Sequence, residues 1–178
     1  MTNNLAIARK SKRYKYILTI LLYSVPIFYL LTWLFIDRLP PLVGDLNHTY
    51  EVVGGYTLLM RFLGFAASML KGSAVMYAIL ILIKLFRLYE NGVFFSSDNV
   101  SCFKKISTAL IWWVIAGIVA TPLISVILTM NNPPGQHVLA LSFQSADFTA
   151  LIVGGMLRVV AGVMENAHGL QEEAKLTI

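Results

Sequence analysis

Two cations stand inside long apolar runs: Lys71 near the middle of a run from about Phe62 to Phe86, and Arg158 near the middle of one from about Phe148 to Met164. At the bilayer midplane each costs roughly 2.5–3.5 kcal/mol on insertion scales, so the fold has to compensate it. Small residues recur at helical spacing beside both. Gly64, Ser68 and Gly72 flank Lys71, and Gly154 and Gly162 flank Arg158. Such stripes let helices approach closely in lipid, so both cations are expected to face inward. No Asp or Glu lies deep in any apolar run. Glu165 is the nearest acid on the Arg158 face, about two turns away, and Asp147 lies about three turns in the other direction. Three chemistries follow. Either Lys71 snorkels or gives up its proton while Arg158 bonds backbone carbonyls and Glu165, or the cations line a polar cavity for an anionic or amphiphilic ligand, or they mark an ion pathway.

Other reactive types form no recognisable centre. His48 with Asp45 and Glu51, and His137 on a second loop, fall short of three metal ligands at fixed geometry. Glu165-x-x-His168 has the spacing of half a carboxylate-bridged di-iron site, but such a site needs the motif twice with two further acids. Asn47-His48-Thr49 matches a glycosylation sequon. There is no phosphate-binding loop, nucleophile elbow or zinc-protease helix. The lone Cys102 excludes an intramolecular disulfide, a cysteine zinc cluster and a redox CxxC pair. The expectation is a protein that is not an enzyme and needs neither cofactor nor metal.

The elements that position these residues are set by composition. The chain is 57% hydrophobic and 13% charged, whereas soluble domains have about 25% charged residues. So few charges cannot solvate a globular surface of this size. The expected fold is an all-α integral membrane protein in one domain over 1–178, with four transmembrane helices at about 17–36, 62–86, 108–130 and 148–164. Residues 1–16 form a basic tail and 165–178 a second tail. Between them, Asp37 to Thr57 and Asn131 to Asp147 are outer loops punctuated by Pro, Gly and Asn; 136–147 reads equally as a short strand or as the start of a long fourth helix. Ten lysines and arginines fall on the two tails and the 84–105 side, against Arg38 and Arg61 on the other. The positive-inside rule then places both termini in the cytoplasm. The formal charge of +5 is explained by topology and anionic lipid, not by direct nucleic-acid binding.

Between the second and third spans, Gly92 breaks one helix and Ser97 is placed to cap the next, with Asp98 in its first turn. Val100, Phe103, Ile106 and Leu110 share a face, predicting a short amphipathic cytoplasmic helix with Lys104 and Lys105 toward lipid phosphates.

The stretch Asn91-Gly92-Val93-Phe94-Phe95-Ser96-Ser97-Asp98-Asn99-Val100, running on to Lys104-Lys105-Ile106, and the terminal Leu170-Gln171-Glu172-Glu173-Ala174-Lys175-Leu176-Thr177-Ile178 together resemble the bacterial membrane family called domain of unknown function 2975. Cys102 and the doubled Phe94-Phe95 depart mildly from its motif. The resemblance implies a small protein of the bacterial inner membrane, often encoded beside a short helix-turn-helix transcription regulator; it carries no catalytic residues. The expected interaction surface is therefore cytoplasmic, made of Gly92, Phe94, Ser97, Asp98, Asn99, Lys104 and Lys105 with Leu170, Glu172, Glu173 and Leu176 of the tail. Its role is regulatory or sensory. The competing role is a small transporter or immunity-type protein built around Lys71, Arg158 and Glu165.

Overall fold

The computed structural model describes residues 2–38, 52–93 and 96–176, and side chains within 10–38, 52–93 and 96–167 and at 169. It consists of four helices, α1 (Thr2–Leu34), α2 (Leu58–Glu90), α3 (Ser97–Thr129) and α4 (Ser145–Leu176). Each contains a stretch long and apolar enough to cross a membrane: Lys10–Leu34, Leu58–Glu90, Ser97–Thr129 and Ser145–Ala167. The chain is an all-α, multi-pass membrane protein. Many large apolar side chains remain outside, including Tyr16, Leu58, Phe62, Val159 and Val163, a distribution that water penalises and lipid does not.

Local chemistry fixes the helix ends. The Thr57 hydroxyl caps α2 by accepting from the Met60 N–H at 3.3 Å. At its other end Gly92 adopts φ 75°, the Gly92 N–H bonds the Tyr89 carbonyl, and the Val93 N–H bonds that of Leu88. Only glycine takes that left-handed position without strain, and the paired bonds satisfy carbonyls the helix leaves open. The cap of α3 is Ser96, one residue before the expected Ser97; its hydroxyl accepts from the Asn99 N–H at 3.4 Å. Asp98 lies in the first turn as expected.

Two expected segments merge into longer helices. The amphipathic lead-in is not a separate helix but the opening turns of α3, with Val100 and Ile106 buried and Lys105 exposed. The basic tail is helical from Thr2, and where it meets the end of α2 Lys15 pairs with Glu90 and Tyr14 stacks on Phe86 at 5.5 Å. Such partners replace the support that an isolated helical tail lacks in water.

Packing runs between chain neighbours, α1 on α2, α2 on α3 and α3 on α4. The helices alternate in direction, so the starts of α1 and α3 and the ends of α2 and α4 share one end, here the terminal end, and their other ends share the far end. At the far end Trp33, Ile36 and Leu128 form a buried cluster with Tyr56, Phe65 and Ala140 against it. The Trp33 indole N–H donates to the Ser68 hydroxyl at 2.9 Å, and its ring lies on Gly64, where a β-carbon would come within 2.1 Å of it. The glycine and serine of that stripe are buried against α1, as their spacing predicts.

Candidate functional site

Lys71 lies about 20 Å along α2 from both Leu58 and Lys84, deep in the apolar layer. Its ammonium meets the Asp147 carboxylate at 3.5 Å and sits 4.2 Å from the centre of the Trp113 ring. Gly117 of α3 makes room for it: a β-carbon there would fall 2.9 Å from the lysine Cε. Asp147 is only 3% exposed. Its second oxygen accepts from the Gln144 N–H at 2.8 Å, so a buried carboxylate has both a cation and a backbone donor.

Asp147 reaches this depth because the chain folds back. Residues 136–144 form neither strand nor helix. After the turn at Gly135, the Val138 N–H donates to the Thr129 hydroxyl at 3.1 Å and the Ala140 N–H to the Ser125 hydroxyl at 3.0 Å. His137 meets the Thr129 carbonyl at 2.8 Å. Those hydroxyls step down α3 one turn apart, and the segment descends with them. Irregular backbone is tolerated at membrane depth only where protein supplies its partners, and here buried Ser125 and Thr129 do so. Helix α4 consequently opens inside the protein, with Asp147 in its first turn where the dipole favours an acid.

Beyond the pair, α2 and α4 diverge around a cavity of about 540 Å³ floored by α3. Ala74, Ala78, Ala109, Ala146 and Ala150 are among its lining, with Trp113 at the wall. The cluster of Leu85, Cys102 and Ile106, with Leu157 of α4 against it, lies beyond the terminal end. The Lys71–Asp147 bridge lies beside the far end, next to the lining residues Trp113 and Ala146. A larger groove, about 850 Å³, lies between α1 and α2, but its charged member is already engaged: Arg61 pairs with Asp37 and donates to the Trp33 and Leu34 carbonyls. Nearby, burial and Asp37 raise the Tyr56 phenol above its usual range.

Arg158 departs from expectation. It is exposed, although Gly154, one turn earlier, is buried and would place a β-carbon 3.4 Å from the Ser107 carbonyl. Nothing lies within 4 Å of a β-carbon at Gly162. Because α4 begins deep, Arg158 falls between the Ser107–Ile111 level of α3 and the Lys104–Glu165 pair, not at the midplane. From there its long side chain can reach the polar boundary. Glu165 does not serve Arg158; both its oxygens accept from Lys104, at 2.7 and 2.8 Å.

The remaining expected surface is partly assembled. Lys84 of α2 pairs with Asp98 of α3 at 3.1 Å. Asn99 is fully buried and its amide N–H donates to the Val93 carbonyl at 3.0 Å, anchoring the link that contains Gly92. Lys105 is exposed. Phe94 lies outside the described residues, as do Asp45, His48 and Glu51. The backbone of α4 carries Leu170, Glu172, Glu173 and Leu176 beyond its apolar stretch as helix; their side chains, like that of His168, are not described.

Sequence reasoning missed Asp147 as the partner of Lys71. The available signal was Ser125 and Thr129, two hydroxyls four residues apart on the third span, followed by a loop without charge up to Asp147. No curated protein and no solved structure matches the chain. The profile of one family, described as Protein of unknown function (DUF2975), matches residues 10–178, nearly the whole chain and both motif stretches, and the chain belongs to that family.

Proposed function

We propose that this chain is a regulatory or sensory protein of the bacterial inner membrane, with both termini in the cytoplasm, that holds a soluble partner at its terminal end. The observation that carries the reading is the continuity of α4. One unbroken helix joins Asp147, paired inside the membrane, to Leu176, nine residues past the apolar stretch that closes at Ala167. A change at the buried pair that tilts α4 moves the cytoplasmic end as a lever. The Lys104–Glu165 and Lys84–Asp98 pairs tie the ends of α2, α3 and α4 into one surface there. Opposite charges on exposed groups add only about 0–1 kcal/mol each, enough to set orientation and weak enough to be released. The partner implied by the family resemblance is a small helix-turn-helix regulator. No catalytic role is assigned to the chain.

A transporter or immunity-type role draws on the same intramembrane cations. Against it stand the pairing of Lys71, which leaves the buried site without net charge, and the position of Arg158 away from it.

Capture of soluble proteins from native membranes by the full chain and by a chain truncated after Gly169 tests the proposal. The full chain should retain a partner that the truncated one loses. Equal capture by both refutes it.

A further inference from the structure

We infer that the cavity between α2 and α4 is a binding site for an uncharged amphiphilic lipid that enters from the bilayer, its alkyl part against the alanines and a hydrogen-bond-accepting oxygen at the Lys71 end. The inference goes beyond the regulatory reading and does not depend on it. Three observations carry it.

First, the space is maintained, not closed. Small residues on facing helices ordinarily draw them into contact in lipid. Here Ala74 and Ala78 of α2 face Ala146 and Ala150 of α4 across about 540 Å³, within the range of about 300–1,000 Å³ typical of small-molecule sites. Second, access is lateral. The buried Leu85–Cys102–Ile106 cluster lies beyond one end, the Lys71–Asp147 bridge lies beside the other, where Trp113 under the ammonium and Ala146 next to Asp147 belong to the lining, and α3 is the floor. The side left open faces lipid, so the occupant is a molecule already dissolved in the bilayer. Third, polarity is confined to one end and is neutral in sum. Lys71 has three N–H donors, yet among the described residues it meets one carboxylate oxygen and one aromatic face. It retains 24% side-chain exposure and sits one turn from Ala74 and Val75 of the lining. The unspent donors call for an acceptor. A carboxylate or phosphate would compete with Asp147 for the same ammonium, and a cation would be repelled by it, so the favoured head is an uncharged ester, amide, ketone or hydroxyl oxygen.

The test uses the purified full chain in nanodiscs and three diazirine-bearing probes with the same alkyl chain: a methyl ester, the free acid and the plain hydrocarbon. Labelled peptides are located by mass spectrometry. The ester should label residues of α2, α3 and α4 around the cavity at least about tenfold above the hydrocarbon, the loss expected for one charge-assisted hydrogen bond. Ala78→Leu and Ala150→Leu, on different helices, should each abolish this labelling while the protein stays monodisperse. The double variant Lys71→Met with Asp147→Leu, which removes both charges together, should bind ester and hydrocarbon alike. Labelling that survives both leucine variants, or a free acid that outcompetes the ester, overturns the inference.

Discussion

Removing one member of the Lys71–Asp147 pair is the most direct perturbation of the molecule. Asp147→Leu leaves an ammonium facing Trp113 and Gly117 without its counter-charge, and Lys71→Met leaves a carboxylate that is 3% exposed. Breaking a buried pair in this way costs about 3–5 kcal/mol. Two features lower that figure here: the separation is 3.5 Å and Lys71 retains 24% side-chain exposure. About 2–3 kcal/mol per single variant is the expected loss. The double variant removes both charges at once and should lie within about 1 kcal/mol of the parent, since a pair replaced by apolar groups of similar size is often neutral. The coupling between the two positions is therefore about 3 kcal/mol or more, well above the scatter of independent sites. Denaturant titration in detergent, followed by far-ultraviolet circular dichroism, gives all four corners of the cycle. Additive losses, with the double variant as unstable as the two singles combined, would falsify the idea that the pair holds α4 against α2.

Gly64→Ala should cost about 1–3 kcal/mol, because the new methyl forces the Trp33 ring off the Ser68 hydroxyl; Trp33→Leu in the same background should recover part of the loss in thermal melts. Arg158→Leu should change stability by less than about 1 kcal/mol and leave expression unaltered, since the side chain is exposed on an apolar face; a loss of assembled protein contradicts that placement. Cys102 is 1% exposed, so an impermeant maleimide should leave it unlabelled from either side until the protein is denatured. In a Cys102→Ala background, Lys105→Cys should instead be labelled in inverted vesicles only, and labelling of intact cells reverses the proposed topology.

Much of the architecture follows from patterns that the bilayer itself imposes. Four apolar stretches, the Gly64–Ser68–Gly72 stripe and the helix break at Gly92 are each local signals, and each is found where its spacing puts it. Lys71 stands out for the same reason, as a charge where charges are costly. Its partner was hidden because depth is not a local property. Counted from Phe148, the fourth span places Arg158 at mid-membrane and Asp147 outside. The hydroxyls of Ser125 and Thr129 draw residues 136–144 down along α3, and the whole of α4 shifts toward the terminal end with them. That shift brings Asp147 to Lys71 and carries Arg158 to the boundary. Three backbone and side-chain bonds decide it, and no hydropathy window registers them.

The order in which the helices pack also bears on how the protein is made. Each helix lies mainly on the one before it in the chain, so contacts between neighbours are complete soon after each span is synthesised, and little waits on distant sequence. The bridge from Lys71 is the exception. Its carboxylate belongs to α4, made after α3, so throughout synthesis of α3 the ammonium lacks that partner. A chain that stalls before Asp147 displays an orphan charge, and a finished one does not.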